Sequence, residues 1–408
     1  MAGRRSNGEG TAYYNEARQR WEAQAPYKDA GGQPKRKKFT GKTQKEVNRK
    51  KKEFLDNLED GLLPEADKLT VGVWLDRWLA DFVKPRVRTK TYEKYESCIK
   101  SYIKPKFKDV LLKKLAVADV QRVFNEMGEN GGRQGKGLSS LTIRNTRRVF
   151  SMALDKAIKL SLLLKNPVKL TDPPRLEKMR EIKPLTADQA NTLLQIAKKD
   201  AAEVSQVKAG QKRKTSTTAA DYDTYVAVAI ALNTGMRLGE VLGLKWDDIH
   251  HEQKIITVKR AWVSTSKGMK IEDPKTGKGR KILIDDALLK VLSLHQKRQS
   301  WDKNLMGNLY KDNQWIIGGQ YGENYESKHF SSRKYKSLLA KAGIEDTFTF
   351  HDLRHTHATI LLLKGVNPKI VQERLGHATI SMTLDTYSHL LPDNQDKAVE
   401  VISSCLAL

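Results

Sequence analysis

Two stretches of the chain carry prolines and charges but neither helical nor strand spacing: "GLLPEADKLT" (61–70) and "NPVKLTDPPRLEKMREIKP" (166–184). A continuous hydrophobic core cannot run through segments with no apolar period. They are therefore read as linkers, placed at 64–69 and 171–184, and they cut the 408 residues into separately folded parts. The expected fold class is multidomain and mainly α with small β elements. An N-terminal three-stranded sheet plus helix (1–63) is followed by a helical domain (70–170), a mixed α+β domain (185–391) and a C-terminal tail or helix (392–408).

Local patterns give each part its type. "TAYYNEARQRWEAQ" alternates aromatic and polar residues and "KRKKFTG" reads as a further strand, with "GGQP" as a turn between them. "TQKEVNRKKKEFLDNLEDG" reads as a helix: Thr43 and Glu46 form a capping box, Val47, Phe54 and Leu58 share a face, and Gly61 ends it. In the second part Val71, Trp74, Leu75, Trp78, Leu79 and Phe82 line one helix face, and Tyr92, Tyr95, Ile99 and Tyr102 another. These aromatics are read as core, with the lysines and arginines between them facing outward. "ENGGRQGKGLSS" departs from G-x-x-x-x-G-K-[ST] at Asn130 and at Gly137, so it is read as a flexible connection without a nucleotide site. In the third part "TADQANTLLQIAKK" and "YDTYVAVAIALNTG" read as helices. "KIITVKRAWV" and "GRKILI" read as strands, and further helices start from Asp286.

Charge narrows the partner. Lys plus Arg is 74 against 48 for Asp plus Glu, a net +26. The excess is uneven: residues 71–180 hold 25 basic and 11 acidic side chains, and ten of the eighteen residues from Lys35 to Lys52 are basic. A general solubility bias would not concentrate in this way; a polyanion such as DNA accounts for it. No apolar run is long enough to span a membrane, and "MAGRRSNGEG" has no apolar core behind its arginines, so neither a membrane protein nor a secreted one is expected. Cys98 and Cys405 stand far apart and suggest no disulfide framework, which fits the cytoplasm.

Four motifs in the last part carry reactive side chains. "NTGMRLGEVLGLKW" holds Arg237 and Glu240, "DPKTGKGRKILI" holds Lys275, "HDLRHTHAT" holds His351 and Arg354, and "LGHATISMTLDTYSHL" holds His377 and Tyr387. In this order the set resembles the catalytic domain of the tyrosine recombinase, or phage integrase, family. The likeness covers about 180–390, extends more loosely over the helical part, and is accompanied by an N-terminal module similar to the arm-type DNA-binding domain of lambda-like integrases.

The resemblance implies a site-specific recombinase that cuts and rejoins DNA through a 3′-phosphotyrosine. Tyr387 would be the nucleophile, and Arg237 and Arg354 the phosphate clamp. Lys275 would be the general acid on a hairpin, His351 the base or proton shuttle, His377 a phosphate ligand and Glu240 a supporting acid. Lys270, Lys278 and Lys281 lie close enough to leave the hairpin lysine open. The chemistry suits these residue types. A phenol with an ordinary pKa near ~10 needs a base, and guanidiniums grip phosphate oxygens with paired N–H donors while keeping their charge. Neither cofactor nor metal is implied. The implied partners are double-stranded DNA at core and arm attachment sites, three further copies of the chain in a tetramer, a host DNA-bending protein and an excision factor. The apolar stripe of Val399, Ile402 and Leu406 would dock on a neighbouring copy.

Other readings stay open at this level. His351 and His355 have a zinc-helix spacing, but the intervening Glu of H-E-x-x-H and a third ligand are lacking. His355 and His357 are assigned to support or packing. A type IB-like topoisomerase, a non-catalytic architectural protein and a metal-dependent nuclease are the competing functions.

Overall fold

The computed structural model describes residues 11–28, 33–59, 61–63, 68–175, 184–205, 217–273, 279–387, 399 and 402–405. The chain forms two compact units, Met1–Met179 and Arg180–Leu408.

The first unit holds two apolar cores. The smaller lies under an antiparallel sheet of β1 (Tyr13–Asn15), β2 (Arg20–Lys28) and β3 (Pro34–Gly41), in the order β1-β2-β3. The stretch read as one strand is two, because Asn15 caps a single turn at Glu16–Arg18 and Gln19 takes a left-handed conformation. Strand alternation turns Ala23, Ala25 and Phe39 inward onto Val47 and Phe54 of α1 (Gln44–Glu59). The helix starts as its sequence suggests: Thr43 Oγ1 accepts from Glu46 N and the Glu46 carboxylate accepts from Lys42 N. One acid, Glu22, is buried within the basic sheet, where Lys38 and Arg20 pair with it.

The larger core of this unit is helical: α2 (Val71–Arg77, continuing as a wider turn through Trp78–Val83), α3 (Thr89–Cys98), α4 (Lys104–Phe107), α5 (Val117–Asn130) and α6 (Ser140–Lys159). Val71, Trp74, Leu75, Trp78 and Leu79 are all buried, and the indole of Trp74 donates to Ala153 O. Cys98 is buried here. The glycine-rich connection after α5 is a closed turn: Gly132 N donates to Lys136 O and Leu138 N to Met127 O. A side chain at Gly137 would collide with Gly128 O, which explains the glycine at 137 physically. Two of the basic residues on α6 do not stand free. Arg144 donates to Pro174 O, and Arg147 to Thr171 Oγ1 and Thr171 O, fixing the segment that follows.

The second unit is built around α8 (Thr217–Thr234), whose residues Val226 to Leu232 are all buried. A helix apolar all round belongs at the centre of its domain. Around it lie α7 (Ala187–Ser205), α9 (Leu238–Leu242), α10 (Asp286–Met306), α11 (Ser327–His329), α12 (Lys336–Lys341), α13 (Phe350–Leu363), α14 (Pro368–Leu375) and α15 (Ile380–Tyr387). A three-stranded antiparallel sheet of β4 (Ile249–His250), β5 (Ile255–Val258) and β8 (Arg280–Leu283) and a two-stranded ribbon of β6 (Ala261–Thr265) and β7 (Gly268–Glu272) complete it. "KIITVKRAWV" is thus divided between the sheet and the ribbon. No helix among the described residues is long and apolar enough to cross a membrane.

Candidate active site

The site assembles on the second unit, where the turn between α8 and α9, α9, α13, the turn after α14 and α15 supply its side chains. The turn after α8 fixes the first arginine. Gly235 has φ +66, and a methyl there would sit 2.6 Å from Leu375 Cδ2 and 2.7 Å from His357 Cδ2, so the turn requires glycine. Its carbonyl accepts from Arg354 Nη1 at 2.8 Å, which ties the two arginine-bearing segments together. Arg237 caps α9. Glu240 Oε2 accepts from its backbone N–H at 3.0 Å, and Glu240 Oε1 accepts from its Nη1 at 2.9 Å.

Glu240 is buried between two guanidiniums. Burial pushes its carboxyl up, but the hydrogen bonds and charge of Arg280, with those of Arg237, overcome this and hold it at about 2. The pocket therefore keeps a fixed negative charge that orients its positive ones.

On α13, His351, Arg354 and His355 follow one another at i, i+3 and i+4 and share a face. Thr349 and Asp352 start this helix with a capping box. Arg354 is 1% exposed, and its buried Nη2 has no hydrogen-bond partner among the described residues. Burial, and then the charge of Arg237, lowers it to about 9, which leaves it cationic at neutral pH. A buried N–H without an acceptor is costly, and an incoming phosphate oxygen would supply one.

Tyr387 ends α15 and is 2% exposed, packed with Ala358, Leu362, Val371 and Leu375. Its Oη lies 2.7 Å from His355 Nδ1. The His355 ring in turn meets the His351 ring edge to face, with centroids 4.9 Å apart. Burial raises the phenol to about 12. Burial also lowers His355, and it lowers His351 together with the neighbouring His355 and Arg354. Neutral imidazoles able to accept a proton therefore stand beside a phenol that holds its own. His377 follows Gly376, a left-handed C-cap, and its Nδ1 lies 2.8 Å from Thr383 Oγ1. Burial, followed by Arg354 and Arg237, lowers it to about 4.

Arg237, Glu240, His351, Arg354, His377 and Tyr387 thus gather in one pocket. Lys275 and Lys278 lie outside the described residues. Lys270 and Lys281 are exposed on β7 and β8. The sequence reading gave His355 only a supporting part, yet it is the residue against the phenol. Its i+4 spacing from His351 was the available signal. His357 does pack: its Nδ1 donates to Leu232 O at 2.8 Å. Among the described residues no group of three or more His, Cys, Asp or Glu converges in a metal-binding arrangement.

Residues 183–394, more than half of the chain, match the sequence pattern of the phage integrase family. The chain belongs to the phage integrase family. Residues 70–128 of this integrase match the family's N-terminal SAM-like domain. It is 29% identical to a XerC-like tyrosine recombinase of Caldanaerobacter subterraneus subsp. tengcongensis, over 92% of its own length and 93% of the relative's. It is 25% identical to the integrase of Staphylococcus phage L54a, over 87% and 97%. Among solved structures, the Tn1549 transposon integrase in complex with a circular intermediate DNA shares its fold with a TM-score of 0.65 at 23% identity, covering 82% of this chain and 99% of that one. A lambda integrase tetramer bound to a Holliday junction does so with a TM-score of 0.53 at 21% identity, covering 96% and 97%. The integrase is accordingly an enzyme of the tyrosine recombinase class.

Proposed function

We propose that the integrase joins and releases a mobile element by attacking DNA with Tyr387, and that the pocket residues divide the labour as follows. The Tyr387 proton passes to His355 Nδ1 as Oη bonds to phosphorus, with His351 packed behind as shuttle. Arg237 and Arg354 hold the non-bridging oxygens, and His377 adds a further phosphate contact. The P–O5′ bond breaks, and the leaving oxygen takes a proton from the hairpin lysine, assigned to Lys275. Resealing is the reverse: the 5′ hydroxyl attacks the phosphotyrosine and Tyr387 recovers its proton, so no external energy source is consumed. One preorganised donor on such a centre is typically worth ~2.7–4 kcal/mol of barrier.

One observation carries this reading: a buried phenol in contact with a neutral histidine, in a pocket where a buried arginine keeps an N–H with no partner among the described residues. The basic module 1–63 is assigned to arm sites, 70–170 to core DNA and 185–391 to the chemistry. The active assembly is a tetramer on two duplexes, with residues 392–408 docking on a neighbour, and a host DNA-bending protein and an excision factor choose the direction. The partners named in the related structures, DNA and a Holliday junction, support this part of the proposal.

The test is a nicked suicide substrate carrying the attachment site. The wild-type protein is expected to form a protein–DNA band that survives detergent, and Tyr387→Phe none. A band that persists in Tyr387→Phe overturns the assignment of the nucleophile.

A further inference from the structure

Arg280 lies at the first position of β8, paired across the sheet with Val258, and its side chain leaves the sheet toward the pocket. All three of its nitrogens are used, and they reach two different elements. Nη1 and Nη2 form a fork on the Glu240 carboxylate at 3.1 and 2.8 Å, and Nε donates to Arg374 O, in the last turn of α14, at 2.8 Å. The carboxylate it grips is the one that holds Arg237 through both the backbone N–H and Nη1. The carbonyl it grips comes two residues before Gly376, the cap that turns the chain into His377. The Arg280 stem also fills the space beside that glycine: a methyl at Gly376 would sit 3.0 Å from Arg280 Cδ.

We infer that Arg280 is a positioning residue that sets the Arg237 loop and the His377 turn at a fixed spacing, so that both meet one phosphate. The inference rests on the recombinase reading above. The geometry is specific to a guanidinium. A planar fork can serve a carboxylate with two donors and a third group with Nε, whereas a lysine offers one point charge and cannot span both. A side chain that only neutralised Glu240 would have no reason to reach Arg374 O. The arginine is itself largely buried, with its side chain 13% exposed, so it acts through its neighbours and does not touch the DNA.

The experiment measures covalent trapping on the nicked attachment-site substrate for the full-length wild type, Arg280→Lys, Glu240→Gln, the double variant and Gly376→Ala. Site binding and thermal unfolding are recorded alongside. Outer-layer partners of a reactive site typically govern about 10–100-fold in activity, and Arg280→Lys is expected to slow trapping by that amount while binding the site as the wild type does. The double variant should be no slower than Glu240→Gln alone, because both changes break the same link. Gly376→Ala strains a left-handed position (φ +68) as well as crowding the Arg280 stem, and should slow trapping in the same direction. A substrate with sulfur at the bridging 5′ position needs no proton on its leaving group; the Arg280→Lys defect should persist on it, because Arg237 and His377 hold the phosphate.

Wild-type trapping by a folded Arg280→Lys overturns the inference. So does a double variant whose defects multiply, or full restoration by the 5′-sulfur substrate. A wild-type protein that traps nothing removes the recombinase reading itself, and this inference with it.

Discussion

The second unit contains two buried polar clusters that treat charge in opposite ways. In the reaction pocket Glu240 is kept ionised at about 2, because two guanidiniums outweigh the penalty of burial. Around α10, burial raises the Asp223 carboxyl to about 7, against the hydrogen bonds it accepts from Tyr325 Oη and Gly319 N. Its neighbour His295 is lowered to about 4 by burial and donates from Nε2 to Ile316 O. The second cluster moves toward neutrality and joins α8, α10 and the 316–325 segment. The first retains its charge; among the described residues each leaves a buried nitrogen without a hydrogen-bond partner, Arg354 Nη2 in the first and His295 Nδ1 in the second. The acids at their centres are alike in burial, Glu240 at 2% and Asp223 at 3% exposed, so burial of a carboxyl does not tell a reactive site from a structural one. The sign and surplus of the surrounding charge do.

Removing the surplus should have the largest effect. Arg354→Ala is expected to reduce trapping by about 10²–10³-fold, the usual cost of losing one preorganised donor. Its unfolding midpoint should fall as well, since the change opens a cavity and removes the Nη1 hydrogen bond to Gly235 O. A large loss of stability with cleavage intact would place Arg354 with the structural cluster.

Glu240→Gln comes next. It strips the countercharge from two guanidiniums and should destabilise the fold by about 3–5 kcal/mol, the range for breaking a buried pair. The sign with pH is definite. A carboxyl held at about 2 in the fold and 4.5 outside it stabilises fully above 4.5, and that contribution disappears as pH falls toward 2. Urea unfolding at pH 7 and pH 3 should show the wild type and Glu240→Gln converging at the lower pH.

Asp223→Asn should behave in the opposite sense. Its carboxyl has a raised pKa in the fold, so ionisation costs stability progressively as pH rises from 3.8 to about 7. The amide removes that cost, for a gain on the order of 2–4 kcal/mol at pH 8 that vanishes near pH 4. A variant less stable than wild type at pH 8 would mean that the acidic oxygen itself is needed, and the contrast between the clusters would weaken.

The smallest effect is that of pH on cleavage near neutrality. His355 lies below its ordinary value of 6.5, so it is already neutral at pH 7 and trapping should be flat between pH 7 and 8, before Arg354 begins to lose its charge toward 9. The rate should fall on the acid side, as the imidazole takes up a proton and can no longer accept one from Tyr387. A rate that rises through pH 7 instead would assign the proton to a different group.

Much of this was legible in the residues, and the reasons are physical. Trp74, Leu75 and Leu79 recur at helical spacing because one helix face is buried, and periodicity reports burial directly. Arg237, His351, Arg354, His377 and Tyr387 stand in motifs whose chemistry is readable and whose order matches a known family. What spacing does not report is contact between distant segments. Nothing in "HDLRHTHAT" says which ring reaches a phenol 32 positions later. Likewise "GRKILI" shows Arg280 as one polar residue of an alternating strand, and its grip on Glu240 depends on how β8 is placed against α9. The break inside "TAYYNEARQRWEAQ" was hidden for a different reason: Gln19 adopts a left-handed conformation without being glycine or asparagine.

Tyr387, at the end of α15, is sealed against α13 and α14, while other phenols, such as Tyr13, Tyr14 and Tyr321, stand in water. A duplex that drifts against the solitary protein would therefore reach neither this phenol nor the Arg354 guanidinium, which is 1% exposed. Iodinating reagents should likewise label the outer rings and spare this one. The same burial that makes the phenol a sluggish acid also keeps its oxygen out of reach of anything that meets only the surface.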